Sequence, residues 1–139
     1  MTDTEFLAAF ESAAISSDDW THRDHIRMAF LYLRDLPWDT ALEQIRTGIQ
    51  RLNRANRVEE TAVSGYHETV TVAWARVIAA QLHHHGPGEH FDTFAAANPH
   101  LLTKTLLRLY YTRAQILTPE AKAGFVAPDL APLPDAPAA

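Results

Sequence analysis

Residues 20–33 have the sequence WTHRDHIRMAFLYL, which indicates where a helix begins and which of its faces is buried. Thr21 is a favourable N-cap residue, and Asp24 three positions later approximates a capping box. Apolar residues then recur at the spacing of one helical face, at Ile26, Ala29, Phe30 and Leu33. We therefore predict an amphipathic helix that ends near Leu36, because Pro37 disfavours helical geometry in the residue before it.

The length and composition of the chain are those of one globular domain. At 139 residues it can bury a core of ordinary size, and it has no cysteine for disulfides or thiolate metal sites. Its formal net charge of −5 argues against a nucleic-acid surface. No apolar stretch approaches the roughly 18 residues that span a bilayer, and residues 1–5 lack the basic start of a signal peptide. We expect a soluble cytoplasmic protein that binds neither nucleic acid nor membranes.

The longest predicted helix covers residues 66–84 and follows a cap at Ser64 and Gly65. Two overlapping apolar stripes cover most of its circumference, formed by Val70, Trp74, Val77 and Ile78, and by Val72, Ala75, Ala79 and Leu82. A helix that is apolar over so much of its surface is expected at the centre of a bundle. Residues 86–88, Gly-Pro-Gly, should end it, because glycine suits a left-handed C-cap and proline prevents continuation.

Shorter helices are predicted on both sides of this one. Besides the helix of residues 22–36, they are expected over residues 4–14, 39–52, 91–97, 99–111 and 119–124. Thr4 should cap the first of them, and Asn98-Pro99 and Thr118-Pro119 should start the last two, since proline is favoured at the first helical position. We therefore predict an all-α fold, a compact bundle of five to six helices.

The C-terminal segment differs in composition from the rest of the chain. Proline occurs at positions 128, 132, 134 and 137, which favours extended backbone without a packed element of its own. Leu130 and Leu133 are the residues expected to hold this segment against the body. We predict a single helical domain over residues 1–125 and an extended Pro-rich arm over residues 126–139.

Three histidines lie where the predicted apolar stripes reach the N-terminal ends of their helices. His22 and His25 precede one stripe, and their spacing places the two Cβ atoms roughly 5–6 Å apart. His67 precedes the stripe of the long helix in the same way. If the two helix ends are adjacent, the three imidazoles bind one divalent transition metal and leave a position open for water or substrate. Ligation by imidazole alone places copper or zinc first, with iron behind them.

A structural interpretation of the same residues stands beside the metal site. A histidine at the edge of a core is commonly a hydrogen-bonded core residue, and this applies to each of the three taken alone. Glu68, which follows His67, is the candidate catalytic general base, although a carboxylate is also favourable at a helix N-terminus. Trp20, Tyr66 and Tyr110 are candidates either for the walls of a pocket or for ordinary core. The histidines at positions 83–85 are interpreted as complements of a helix C-terminus.

Three strings of the chain resemble a group of small, all-helical bacterial proteins of uncharacterised function. They are WTHRDHIR at residues 20–27, GYHETVT at residues 65–71 and FVAPDLAPLP at residues 125–134. The resemblance covers most of the chain and implies neither a reaction nor a cofactor. It suggests only that the three histidines belong to matched motifs.

The leading functional hypothesis is a small mononuclear metal-dependent enzyme that uses His22, His25 and His67 to oxidise or hydrolyse a small molecule. The alternative is a non-catalytic helical module that binds a ligand, responds to pH, or docks on another protein through the Pro-rich arm. Stoichiometric metal in the purified protein would favour the enzyme. A ligand-induced rise in melting temperature without metal would favour the module.

Overall fold

The computed structural model of the protein describes residues 1–85 and 88–138, and in these residues the chain forms seven α-helices and no β-strand. The helices are α1 (Asp3–Glu11), α2 (His22–Asp35), α3 (Trp38–Ala55), α4 (Glu68–Leu82), α5 (Phe91–Ala97), α6 (Arg113–Ile116) and α7 (Pro119–Ala123). Short 3-10 turns cover Ser17–Asp19, Pro99–Leu102 and Leu106–Leu109. The predicted all-α class is confirmed, and α6, which the sequence pattern does not indicate, has only four residues.

The core lies between α2, α3 and α4, with α1 packed on α3 and α5 packed on α2. All five helices contribute fully buried side chains to it, among them Phe10, Phe30, Leu52, Ile78 and Phe94. Burial of a side chain of this size stabilises the fold by about 1.5–3 kcal/mol. α4 contacts α2, α3 and α7, so its wide apolar surface is covered from several sides, as its two stripes predict.

Capping boxes fix the starts of α1 and α2. In α2 the Thr21 hydroxyl accepts a hydrogen bond from the Asp24 backbone N–H at 3.2 Å, and the Asp24 carboxylate accepts one from the Thr21 N–H at 3.0 Å, as predicted. The prediction for α1 was wrong, because its N-cap is Thr2, paired with Glu5, rather than Thr4. Only Thr2 has a carboxylate three positions later, so only Thr2 can form the reciprocal pair.

α4 begins at Glu68, two residues later than predicted, because His67 is its N-cap. The Nδ1 atom of His67 accepts a hydrogen bond from the Val70 backbone N–H at 3.1 Å. Ser64 belongs to the preceding turn instead, where its hydroxyl donates to the Glu59 carbonyl at 2.7 Å. α4 ends at Leu82, and residues 86 and 87 of the predicted Gly-Pro-Gly terminator lie outside the described residues.

Residues 99–111 do not form the single helix that the sequence predicts. They form two 3-10 turns with an extended residue, Thr103, at the end of the first. Leu101, Leu106 and Tyr111 are all buried, and residues five apart point to different faces of a helix with about 3.6 residues per turn. The interrupted path therefore allows all three side chains to reach the core.

Residues 126–138 contain no helix and lie along the body of the molecule. Leu133 is buried in the core, and the Tyr111 hydroxyl donates to the Val126 carbonyl at 2.6 Å. The expectation for Leu130 was wrong, because its side chain is 56% exposed. Its backbone N–H holds the segment instead, by donating to the Tyr110 carbonyl at 2.9 Å.

Candidate functional site

A cavity of about 400 Å³ opens between α2, α3 and α4. Its floor is formed by buried apolar side chains, Ile26, Met28, Ile45 and Ile78. The aromatic and polar side chains of the lining are Trp20, His22, His25, Thr71, Trp74 and Lys104. No Asp or Glu occurs among the described residues of this lining. The cavity therefore combines an apolar floor with a few polar side chains, as small-molecule sites commonly do.

The start of α2 places His22 and His25 at this cavity. Its capping box fixes the first helical turn, and the spacing of three residues puts both rings on the same face. Trp20, immediately before the cap, is held in place by stacking on Phe10, with ring centroids 5.4 Å apart. Local sequence therefore determines the position of three of the lining side chains.

Both ring nitrogens of His25 are engaged by the protein. The indole N–H of Trp20 can only donate, and it donates to Nε2 of His25 at 2.8 Å. Nδ1 therefore carries the proton and donates to the Thr21 carbonyl at 3.1 Å. Burial lowers the pKa of His25, and a proton on Nε2 would also face the Trp20 donor. His25 is thus a neutral ring held in one orientation.

His22 has one ring nitrogen that the fold does not use. Its Nε2 donates to the Leu101 carbonyl at 3.0 Å, and its ring packs edge-on against Trp74, with centroids 5.0 Å apart. Its Nδ1 makes no hydrogen bond within residues 1–85 and 88–138. This nitrogen is the part of the ring that remains to bind a ligand.

His67 is engaged on both nitrogens and is not part of the cavity lining. While Nδ1 caps α4, Nε2 donates to the Ile116 carbonyl at 2.7 Å and so ties the start of α4 to the end of α6. Val70 and Thr71, one turn further along α4, line the cavity, and Trp74, which contacts His22, lies two turns further, a rise of about 10 Å. The ring of His67 is therefore used to build the fold.

The structure brings His22 and His25 together at one cavity and leaves His67 apart from them. Among the residues that the structure describes, no group of three His, Cys, Asp or Glu side chains is arranged to hold a metal ion. A copper, zinc or iron ion shared by the three histidines would have to displace the hydrogen bonds of His25 and His67. The metal site of His22, His25 and His67 stays a prediction.

Glu68 lies outside the cavity, in an ion pair with Arg46. Arg46 donates to both carboxylate oxygens, at 2.9 and 2.6 Å, and the Tyr66 hydroxyl adds a third hydrogen bond at 2.6 Å. These bonds, above all those from Arg46, hold the pKa of Glu68 below its ordinary value. A carboxylate of lowered pKa is a weak base at neutral pH, so its contacts lend no support to Glu68 as a general base. That role stays a prediction.

Trp74 and Lys104 are two side chains of the cavity that sequence analysis does not identify as parts of a site. Trp74 lies on an apolar stripe of α4, which predicts burial, but it is only half-buried because it borders the cavity. Lys104 lies in the link between the two 3-10 turns, a break that the pattern of residues 99–111 does not indicate. Trp20, in contrast, is identified from the sequence as a candidate wall residue.

Comparison with protein-family models, with curated proteins and with solved structures gives no match for this chain. In the described part of the chain, no helix has both the length and the apolar character needed to cross a membrane. The motif resemblance to small bacterial proteins stays a prediction. Function has to be inferred from the cavity and its lining side chains.

Proposed function

We propose that the protein is a non-catalytic helical module that binds a small molecule in the cavity between α2, α3 and α4. The observation that carries this proposal is the lining, an apolar floor bordered by Trp20, Trp74, His22, His25 and Lys104. Small-molecule sites are typically apolar clefts of about 300–1,000 Å³ with few polar groups. The cavity of about 400 Å³ lies near the lower end of this range, so the expected ligand is small.

Apolar burial would provide most of the binding free energy. Ligand surface removed from water contributes about 25 cal/mol per Å², so about 200 Å² of apolar contact contributes about 5 kcal/mol. Part of this is offset by the translational and rotational freedom that the ligand loses. We therefore expect dissociation constants of roughly 1 mM for a well-fitting ligand.

The contacts of the lining support binding rather than catalysis. His25 accepts from Trp20 and donates to the Thr21 carbonyl, so it cannot take a proton from a ligand without losing a hydrogen bond. The Thr71 hydroxyl donates to the His67 carbonyl at 2.9 Å. The described lining residues therefore include no hydrogen-bonded pair of nucleophile and base of the kind used in covalent catalysis.

The metal-dependent enzyme is the second candidate, and the shared position of His22 and His25 at the cavity is the observation in its favour. Elemental analysis of protein made without a purification tag separates the two candidates. Stoichiometric copper, zinc or iron would establish the metal site if two conditions hold. The metal must be lost in His67→Ala, and it must persist when residues 83–85 are all changed to alanine. Protein that stays free of metal after dialysis against zinc and copper salts would favour the binding module.

The binding proposal is tested by filling the cavity. Ala29 lines it and is 6% exposed, so Ala29→Leu should occupy ligand space and weaken binding at least about tenfold, the effect of about 1.4 kcal/mol. The probes are naphthalene rings that carry a carboxylate, an amide or an ammonium group, titrated by calorimetry. Ala80→Leu, on α4 outside this lining, is the matched control and should bind like the unmodified protein. Failure of all three probes to bind, or equal binding by Ala29→Leu, would contradict the proposal.

A further inference from the structure

Lys104 gives the cavity lining its formal charge. No other Lys or Arg and no carboxylate occurs among the described residues that line the cavity. Lys104 is exposed and takes part in none of the ion pairs within the described part of the chain. The other lysine of the protein, Lys122, is paired with Glu60 at 2.9 Å. The cationic group at the cavity is therefore available to a ligand.

The charge of Lys104 also acts on the rings of the cavity. Burial is the main cause that lowers the pKa of His25, and the positive charge of Lys104 adds to this effect. Lys104, Trp20 and His25 line the same cavity, so a ligand that contacts the two rings also lies beside Lys104. A ligand group of negative charge would be attracted to this side of the cavity.

The same lining disfavours other kinds of charged ligand. A cationic ligand would meet the ammonium of Lys104 and no carboxylate among the described lining residues. A dianionic phosphate would bring a second charge for which the lining provides no second cation, and an unpaired charge in a half-enclosed site is costly. A single negative charge matches the single cation. The apolar floor and the faces of Trp20 and Trp74 require the rest of the ligand to be apolar.

We infer that the ligand is a small planar carboxylic acid, whose ring contacts Trp20 and Trp74 above the apolar floor and whose carboxylate binds Lys104. This inference rests on the proposed function, since it names the chemistry of the molecule that the cavity takes. A naphthalene ring with one carboxylate is a suitable probe because its size is fixed and its charge can be removed without a change of shape.

The test compares 2-naphthoate with 2-naphthamide and with 2-naphthylmethylammonium by calorimetric titration. We expect the carboxylate to bind about two- to fivefold more tightly than the amide, which is the effect of one exposed ion pair. The ammonium compound should bind most weakly. Lys104→Met should abolish the preference for the carboxylate over the amide, while leaving the affinity for the amide unchanged.

Arg108→Met is the matched control, because it removes the same charge from an exposed position outside the cavity lining. It should keep the preference for the carboxylate. Equal binding of carboxylate and amide, or a preference that survives Lys104→Met, would overturn the inference and leave the binding proposal standing. If none of the three probes binds to the unmodified protein, the proposed function fails and the inference fails with it.

Discussion

The start of α2 and the start of α4 both carry histidines at the end of a buried face, yet the protein uses these rings differently. At α2 the cap is Thr21, which leaves the rings of His22 and His25 at the cavity. At α4 the cap is His67 itself, and its second nitrogen binds the Ile116 carbonyl. With Thr21 as the cap, His22 keeps one ring nitrogen that makes no hydrogen bond within the described residues, whereas His67 uses one nitrogen for the cap and the other for Ile116.

The largest effect that separates the two regions is expected for His67→Ala. This change removes the cap of α4 and leaves the Ile116 carbonyl without its donor, so it should lower the free energy of unfolding by about 2–3 kcal/mol. His22→Ala removes one hydrogen bond at a half-buried ring and should cost about 1 kcal/mol. Urea denaturation measures both, with His67→Asn as the control that keeps a capping oxygen and recovers part of the loss. Equal losses for the two alanine variants would remove the distinction.

Glu68→Gln is expected to have the next largest effect, also at the start of α4. It replaces a carboxylate that accepts two hydrogen bonds from Arg46 and one from Tyr66, and should cost about 2 kcal/mol of unfolding free energy.

The pKa of Glu68 lies below its ordinary value of 4.5, so its stabilising contribution is present above that pH and is lost as the pH falls through the lowered pKa. The unmodified protein should therefore lose more stability between pH 6 and pH 3 than Glu68→Gln does. Urea denaturation at a series of pH values measures this loss in protein made without a purification tag. A larger acid loss in Glu68→Gln would show that the carboxylate is not held by Arg46.

A smaller effect is expected at the start of α2, in the pH dependence that His25 confers. Burial lowers the pKa of His25, so below its ordinary value of 6.5 the unfolded chain binds a proton that the folded protein does not. Stability should fall as the pH falls below that value, by at most about 1.4 kcal/mol per pH unit. His25→Gln should flatten this part of the profile between pH 7 and pH 5.5. An unchanged profile would mean that the ring of His25 is not kept neutral by its contacts.

The smallest effect is expected for Thr21→Ala. Loss of the capping hydroxyl should lower the free energy of unfolding by about 1 kcal/mol, and Thr21→Ser should restore most of it. The bond from His25 goes to the backbone carbonyl of residue 21, so binding at the cavity should persist in both variants. A loss of ligand binding in Thr21→Ala at a temperature where the protein is folded would show that the cap also orients the cavity.

How far the sequence predicts each region depends on how far apart in the chain the contacting residues are. The start of α2 was predicted correctly because its cap, its box partner and its apolar stripe lie within one short segment. The capping role of His67 was not predicted, because histidine is not a favoured capping residue. Its second hydrogen bond is also beyond a local pattern, because it reaches Ile116, 49 positions away in the chain.

The cavity itself is a non-local feature. Its floor combines side chains of α2, α3 and α4, and Lys104 reaches it from a link whose path depends on three separately buried side chains. Periodicity predicts which face of a helix is covered, but not where three covered faces leave a gap. For the same reason Trp74 is predicted as core and is found at the border of the cavity.

The most direct measurement follows the indole N–H resonances of the three tryptophans by NMR while 2-naphthoate is added. Trp20 and Trp74 line the cavity, whereas Trp38 lies in a separate depression, and phenylalanine substitutions assign the three signals. We expect the Trp20 and Trp74 signals to shift in a saturable way with one common Kd, while the Trp38 signal stays in place. Shifts confined to Trp38, or no shift of any signal at saturating probe, would contradict the assignment of a ligand site to this cavity.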